Sequence, residues 1–133
     1  MIIGIGNDIV YISRIKDSIE QFGNRFTERC FTEEEIKLAE SRRVGATHVN
    51  TYAKRFAAKE AAAKALGTGF RDGVSMQHIE ILRDKNGRPV LSMTNKALEL
   101  LEAKIPEGKK AQIHLSLSDE RDLAQAFVVI EAV

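Results

Sequence analysis

The sequence has one cysteine, two prolines and no long apolar run among its 133 residues. The single cysteine, Cys30, excludes an intramolecular disulfide framework and fits a reducing compartment. No apolar run is long enough to span a bilayer, and the first ten residues lack the basic region that opens a secretory signal. We therefore expect a cytoplasmic protein with no membrane partner.

Net charge is also nearly absent. Twenty basic and 19 acidic residues leave +1 with histidine neutral, so the chain as a whole gives no reason to expect nucleic acid as a partner. From residue 41 to residue 59, however, there are five basic residues and no acidic one: Arg42, Arg43, Lys54, Arg55 and Lys59. This window either meets an anionic ligand or forms a solvated helix face.

The first half of the chain reads mainly as helices within one domain, residues 1–133. A β-branched run predicts a strand from Met1 to Gly6, and spaced isoleucines predict a helix over Ile9–Phe22. A capping box opens a helix from Thr32 to about Arg43. An alanine-rich segment predicts a longer helix from about Thr47 to Leu66, which the next glycine ends.

The second half reads mainly as antiparallel strands. Two alternating segments, His78–Asp84 and Arg88–Met93, flank an Asn-Gly pair and predict a hairpin. A helix over Asn95–Lys104 follows, and then strands over Ala111–Leu117 and Leu123–Glu131. The pattern predicts an α+β protein whose helices pack on an antiparallel sheet.

The long helix carries the segment RFAAKEAAAKALGTG, in which Glu60 and Lys64 share one face with Phe56. Most of their neighbours are alanine, so the helix is expected to be substantially buried and to allow a backbone or a ligand to come close. Buried charges are costly unless they are paired or bind a metal or phosphate. Glu60 and Lys64 are therefore either a partly buried intrahelical ion pair or part of a catalytic surface.

Asp8 follows the first predicted strand and two spaced glycines, Gly4 and Gly6. A strand end at a glycine turn is a common place for a functional residue, because the backbone there can be approached closely. Aspartate is also a good helix N-cap, so Asp8 could instead cap the helix that follows.

A polar face on the strand near the C-terminus is formed by Gln112, His114, Ser116 and Ser118, which alternate with apolar residues. This row of hydroxyls with a histidine either binds phosphate or hydroxyl groups, or is an ordinary polar strand face.

Together, Asp8, Glu60, Lys64, Arg55 and the His114 strand favour chemistry on phosphate esters. Hard carboxylate oxygens suit Mg²⁺, which completes its shell with water and substrate phosphates. No glycine-rich phosphate loop precedes a helix, and no His/Cys cluster offers a zinc site. The residues alone thus indicate a Mg²⁺-dependent enzyme acting on a phosphate ester.

Three ordered motifs carry a family resemblance that extends from the first strand to the last. They are GIGNDIV at residues 4–10, the segment RFAAKEAAAKALGTG at residues 55–69, and HLSLS at residues 114–118 followed by AQAFVV. With FTEEE at residues 31–35, they resemble the holo-[acyl-carrier-protein] synthases, the short single-domain type of 4′-phosphopantetheinyl transferase.

The resemblance implies transfer of the 4′-phosphopantetheine arm of coenzyme A to a serine of apo-acyl carrier protein, with release of adenosine 3′,5′-bisphosphate. By position in the motifs, Asp8 and Glu60 would be ligands of Mg²⁺. Lys64 would contact the CoA pyrophosphate and offset charge on the leaving phosphate.

Other positions are implied more generally by the resemblance. Arg55 and His114 would lie near the CoA nucleotide, and Arg14 would meet the acidic carrier protein. Members of this type form trimers with sites in the clefts between protomers, so a homotrimer is expected.

Asp119 departs from the family pattern, because many members carry His or Thr there. The alternative to an enzyme is a non-catalytic module that binds CoA, a nucleotide or an acidic partner through the basic window. Two carboxylates, Asp8 and Glu60, favour the enzyme, since phosphate binding alone has no need of them.

Overall fold

The computed structural model describes residues 1–133 and confirms the α+β prediction. The helices are α1 (Ile12–Phe22), α2 (Asn24–Cys30), α3 (Glu33–Glu40), α4 (His48–Leu66) and α5 (Asn95–Lys104). The strands are β1 (Ile2–Tyr11), β2 (Ile79–Arg83), β3 (Pro89–Met93), β4 (Ala111–Glu120) and β5 (Leu123–Ala132). No helix is both long enough and apolar enough to cross a membrane.

The strands form two antiparallel sheets. One has the order β1-β5-β4, and the other is the hairpin β2–β3. In the larger sheet, β4 and β5 are joined by a turn of two residues, Arg121 and Asp122, where the sequence had suggested a five-residue loop. The alanines at alternate positions of β5 are buried on one face of this sheet, and α4 packs on that face.

The contact between α4 and the sheet explains both the alanines of the helix and the glycines of β1. A Cβ atom at Gly4 would lie 2.0 Å from the carbonyl oxygen of Ala65, and one at Gly6 would lie 1.8 Å from that of Ala61. The helix backbone therefore rests directly on the strand backbone. Of the two expected neighbours of the α4 alanines, a backbone or a ligand, the structure shows the backbone, and these buried alanines leave no clearance for a substrate.

The first strand is longer than predicted. It pairs with β5 as far as Tyr11 opposite Leu123, so Asp8 lies within β1 and neither ends a strand nor caps a helix. Asp122, in the β4–β5 turn, caps α1 instead: its carboxylate accepts hydrogen bonds from the Ser13 N–H at 2.9 Å and the Ser13 hydroxyl at 2.7 Å. The pairing of β1 with β5 extends the strand beyond Gly6, and a local sequence pattern does not contain this pairing.

The helices of the middle segment follow their predicted boundaries closely. Thr32 and Glu35 form the capping box of α3, which ends at Glu40 rather than near Arg43. Gly67 ends α4 in the left-handed conformation with φ of 83°. The short helix α2 was not predicted, since its seven residues, 24–30, show no apolar repeat long enough to indicate one.

Candidate active site

Asp8 and Lys64 meet between β1 and α4. Asp8 lies on the same face of β1 as Gly6, so its side chain is directed to α4 close to the point where the two backbones touch. The Lys64 Nζ lies 3.1 Å from Asp8 Oδ1 and donates a hydrogen bond to the Asn7 carbonyl at 3.0 Å. The Lys64 side chain is 53% exposed, so its ammonium group remains accessible to a ligand.

Glu60 adds a second carboxylate to this cluster. Burial raises the pKa of Glu60, the negative charge of Asp8 raises it further, and Lys64 opposes both effects. Lys64 is paired with Asp8, so the intrahelical Glu60–Lys64 ion pair allowed by the spacing is not formed. The cluster therefore holds two carboxylates that repel each other and a single lysine, which leaves negative charge uncompensated.

This donor set fits a hard divalent cation that keeps much of its coordination shell for water and substrate. The chain contains no group of three or more His, Cys, Asp or Glu side chains that could hold a metal ion. Asp8 and Glu60 supply only two carboxylates, which is the number Mg²⁺ commonly takes from a protein when substrate phosphates complete its shell. A cation bound by both would also offset the charge of Asp8, which adds to the effect of burial in raising the pKa of Glu60.

A separate basic cleft of about 220 Å³ lies between α4 and the hairpin. Its basic side chains are Arg42, Lys54, Arg55 and Arg83. Arg55 is buried and its Nε donates a hydrogen bond to the Ile81 carbonyl at 3.2 Å. Burial, with the neighbouring charge of Arg42, lowers the pKa of Arg55 to about 10, so the side chain is still a cation at neutral pH.

Asp119 lies at the edge of this cleft, where the sequence left its role open. Its carboxylate accepts a hydrogen bond from Asn50 Nδ2 at 3.0 Å and lies 3.5 Å from Lys54 Nζ. The hydrogen bond from Asn50 is the main cause that lowers the pKa of Asp119, and the charge of Lys54 adds to it. Asp119 thus holds Lys54, one of the side chains that line the cleft.

The remaining two predicted site residues lie elsewhere on the chain. His114 is on the face of the large sheet opposite α4, where its Nε2 lies 2.8 Å from Glu131 Oε2. Arg14 is exposed on α1 and makes no ion pair within the chain. Of the predicted site residues, Asp8, Glu60 and Lys64 lie together within a single chain. His114 of the same chain lies apart from them.

Two features near the site were not predicted from the sequence. A groove is lined by Phe22, Arg25, Phe26 and Arg29, and it continues past Phe26 to Phe56 on α4. The phenylalanines and the arginines are each four residues apart, and this spacing could have indicated a mixed apolar and basic face. The other feature is a buried ion pair between Lys59 and Glu35, which no local pattern indicates because α3 and α4 meet only in the fold.

Known proteins match the chain along nearly its whole length. The model of the 4′-phosphopantetheinyl transferase superfamily matches residues 4–128. The holo-[acyl-carrier-protein] synthase of Paramagnetospirillum magneticum is 55% identical over 132 residues, which are 99% of this chain and 98% of that protein. That of Erythrobacter litoralis is 51% identical over 132 residues, again 99% of this chain and 98% of the relative.

Solved structures agree with the sequence matches. The crystal structure of the Neisseria meningitidis holo-[acyl-carrier-protein] synthase is 44% identical with a TM-score of 0.83, and covers 98% of this chain and 99% of its own. The Bacillus anthracis synthase, in complex with CoA (3′,5′-ADP), is 35% identical with a TM-score of 0.80, and covers 100% of this chain and 99% of its own. The chain belongs to the 4′-phosphopantetheinyl transferase superfamily.

Proposed function

We propose that this chain is a holo-[acyl-carrier-protein] synthase, with residues 1–133 as a single transferase domain. It transfers the 4′-phosphopantetheine group from CoA to a serine of apo-acyl carrier protein and releases adenosine 3′,5′-bisphosphate. The observation that carries the proposal is the cluster of Asp8, Glu60 and Lys64 at the contact of β1 and α4. The family membership and a relative of the same length in complex with CoA support it.

Asp8 and Glu60 would hold Mg²⁺, since the charge of Asp8 acts on Glu60 and Lys64 is the one cation that offsets the two carboxylates. When bound, the cation neutralises charge on the CoA pyrophosphate and so stabilises the departing phosphate. The two residues come from different elements, a strand and a helix, whose backbones are in contact at Gly6 and Ala61. That rigid contact keeps the spacing of the carboxylates fixed.

Lys64 would bind the pyrophosphate of CoA directly. Its side chain is tethered by the Asp8 carboxylate and the Asn7 carbonyl and is still half-exposed, so one N–H can reach a ligand. In the reaction, the serine hydroxyl of the carrier releases its proton to solvent, and its oxygen forms a bond to the phosphorus that bears the pantetheine arm. The bond from that phosphorus to the bridging oxygen breaks, and Lys64 offsets the charge that builds up on the leaving phosphate.

The nucleotide end of CoA would occupy the basic cleft. Arg55 uses its Nε on the Ile81 carbonyl and has its terminal nitrogens free of partners within the chain. With Arg42, Lys54 and Arg83 around it, the cleft concentrates positive charge suited to a phosphate group. This arrangement supports Arg55 as a contact for the CoA nucleotide.

The carrier protein would dock beside α1. Arg14 is exposed on that helix, and the groove lined by Arg25, Arg29 and the two phenylalanines lies at the end of the same helix and on α2. Basic side chains around an apolar groove suit an acidic partner with an apolar anchor. The continuation of the groove to Phe56, one turn before Glu60, leads from the docking face towards the carboxylate cluster.

A homotrimer would cover the outer face of the large sheet. Exposed apolar side chains crowd this face, among them Ile5, Ile9, Tyr11 and Phe127. Contiguous apolar surface of this kind marks an interaction site, and closed rings of identical chains are a common way to cover it. Because His114 lies on this face, it would approach the nucleotide site of a neighbouring protomer rather than that of its own chain.

We place the reaction in the cytoplasm. The only cysteine is buried and unpaired, and burial raises the pKa of its thiol, which disfavours the reactive thiolate. A chain with this cysteine and no disulfide suits a reducing compartment.

The decisive experiment is incubation of the protein with CoA, Mg²⁺ and an apo-acyl carrier protein, followed by intact-mass spectrometry of the carrier. We expect a gain of one phosphopantetheine group and the appearance of adenosine 3′,5′-bisphosphate. An unchanged carrier that a known synthase modifies under the same conditions would contradict the proposal. Tight binding of CoA without transfer would instead support the alternative of a non-catalytic binding module.

A further inference from the structure

The outer edge of β2 in the hairpin β2–β3 has no neighbouring strand, and charged side chains bind its backbone groups instead. The hairpin is a two-stranded sheet, so one edge of β2 has no strand partner for its backbone groups. Lys59 Nζ donates to the Ile79 carbonyl at 2.5 Å, and Glu35 Oε2 accepts from the Ile81 N–H at 2.8 Å. Arg55 Nε donates to the carbonyl of the same Ile81.

The Glu35–Lys59 pair has no free lysine donor and no exposed surface for a ligand. The Lys59 ammonium uses its three N–H groups on Glu35 Oε1 at 2.6 Å, the Met76 carbonyl at 2.9 Å and the Ile79 carbonyl. Glu35 also accepts from the Thr32 N–H at 2.8 Å. Both side chains are 0% exposed. The pair therefore acts on the chain itself, by fastening β2 to α3 and α4.

The hairpin forms one wall of the basic cleft. Arg83, Gly87 and Pro89 come from the hairpin, whereas Lys54 and Arg55 come from α4 on the other side. The distance between these walls depends on how β2 is attached to α4. The attachment consists of the hydrogen bonds of Glu35, Lys59 and Arg55 to the edge of β2.

We propose that Glu35 and Lys59 are positioning residues that hold the hairpin at the spacing needed for the basic cleft to bind the nucleotide phosphates of CoA. The identity of the ligand rests on the proposed function, whereas the attachment of the hairpin does not. Neither residue touches the ligand. Arg55 takes part in both the attachment and the cleft, because its Nε donates to the Ile81 carbonyl on the edge of β2 and its side chain also lines the cleft.

The test compares wild type with the double variant Glu35→Gln/Lys59→Met, which removes both charges and so leaves no unpaired buried ion. The probe is adenosine 3′,5′-bisphosphate, titrated by calorimetry. We expect its Kd to rise at least about tenfold and the KM for CoA to rise with it, while the KM for carrier protein stays within about twofold. Amide exchange at Ile81 should become faster, with β5 amides unchanged.

Tyr52→Phe is the matched control. It lies on the same helix and removes a hydrogen bond to Glu40 of α3 at 2.8 Å without touching the hairpin. Its Kd for the bisphosphate should stay within about twofold of wild type. If the double variant does not fold, Glu35→Asp, which keeps both charges but shortens the reach of the carboxylate to the Ile81 N–H, should show the same pattern with a rise of about threefold.

The proposal is overturned if the double variant binds the bisphosphate within about twofold of wild type, or if Tyr52→Phe weakens binding equally. It is also overturned if wild type does not bind the bisphosphate. A different result would contradict the proposed function alone: wild type binds the bisphosphate, the double variant binds it more weakly, and wild type transfers no phosphopantetheine.

Discussion

The helix α4 takes part in two carboxylate–lysine pairs that have the same chemistry and opposite settings. Lys59 and Glu35 lie 2.6 Å apart with both side chains fully buried. Lys64 and Asp8 lie 3.1 Å apart with exposures of 53% and 17%. In the buried pair, Lys59–Glu35, every N–H of the lysine has an acceptor within the chain. The open pair, Lys64–Asp8, has a second carboxylate beside it, that of Glu60, which has no lysine or arginine of its own as a partner. We call Asp8, Glu60 and Lys64 the open cluster.

The difference shows how one helix can supply both a support and a reactive surface. A fully buried pair whose ammonium donors are all used within the chain is not available to a ligand. An open cluster with excess charge gains by binding an ion or a phosphate. Lys59 and Glu60 are adjacent and therefore about 100° apart around the helix, so each belongs to a different one of the two surfaces.

The largest effect is expected at the open cluster. If Asp8 and Glu60 are the proposed metal ligands, Asp8→Asn and Glu60→Gln should each lower the transfer rate by about 10³-fold, because each removes a carboxylate ligand. Far-UV circular dichroism should remain that of wild type. A variant that keeps near wild-type turnover, measured as carrier modified per minute, would remove that residue from the proposed metal site.

At the buried pair the expected effect is on stability. Lys59→Met leaves the Glu35 carboxylate buried and unpaired, which should cost about 3–5 kcal/mol in the free energy of unfolding. Urea titration measures this cost. The matched change in the open pair, Lys64→Met, should cost less than about 1 kcal/mol, since its lysine is half-exposed. Equal losses in the free energy of unfolding for Lys59→Met and Lys64→Met would contradict the proposed difference between the two pairs.

Lys64→Met should act on catalysis instead. Loss of the ammonium group that we propose binds the pyrophosphate should lower kcat by about 10²-fold. Lys64→Arg, which keeps the charge, should recover part of the rate. If single-turnover measurements show wild-type rates for Lys64→Met, Lys64 serves only as the partner of Asp8.

The smallest effect concerns pH. Because the folded state raises the pKa of Glu60 above its ordinary value of 4.5, the native protein binds more protons than the unfolded chain above that pH. The contribution of Glu60 to stability is therefore greatest in acid and is lost as pH rises through the raised pKa. Urea titrations with a chelator should show this loss in wild type and not in Glu60→Gln. Parallel curves for the two proteins would contradict it.

Local sequence signals predicted correctly the features that depend on neighbouring residues of the chain. The capping box of α3, the glycine at the end of α4 and the Asn-Gly hairpin lie where they were predicted. The end of β1 was predicted wrongly, because Gly6 was interpreted as a turn although it is the point where the strand touches α4. That contact involves residues more than fifty positions apart, so no window of the sequence contains it.

The predicted site residues Asp8, Glu60 and Lys64 lie together in the fold, and their roles stay a prediction. Spacing along α4 allowed Lys64 to pair with Glu60 as one of two alternatives, whereas the fold pairs it with Asp8. The structural role of Lys59 could not be predicted from the sequence, since its partners Glu35 and Ile79 lie on two other elements, α3 and β2. The sequence offered Asp8 either as a functional residue or as a helix cap, and only the family resemblance implied a metal ligand; its place beside Lys64 depends on the register of β1 against the helix.

Calorimetric titration of Mg²⁺ in the presence of CoA tests the central claim that the open cluster, and no other carboxylate of the chain, holds the cation. The account predicts one ion per chain for wild type and for Glu40→Gln, whose carboxylate pairs with Arg43 and Tyr52 away from Asp8. It predicts loss of that binding in Asp8→Asn and Glu60→Gln. The same Mg²⁺ affinity in all four proteins would contradict the account.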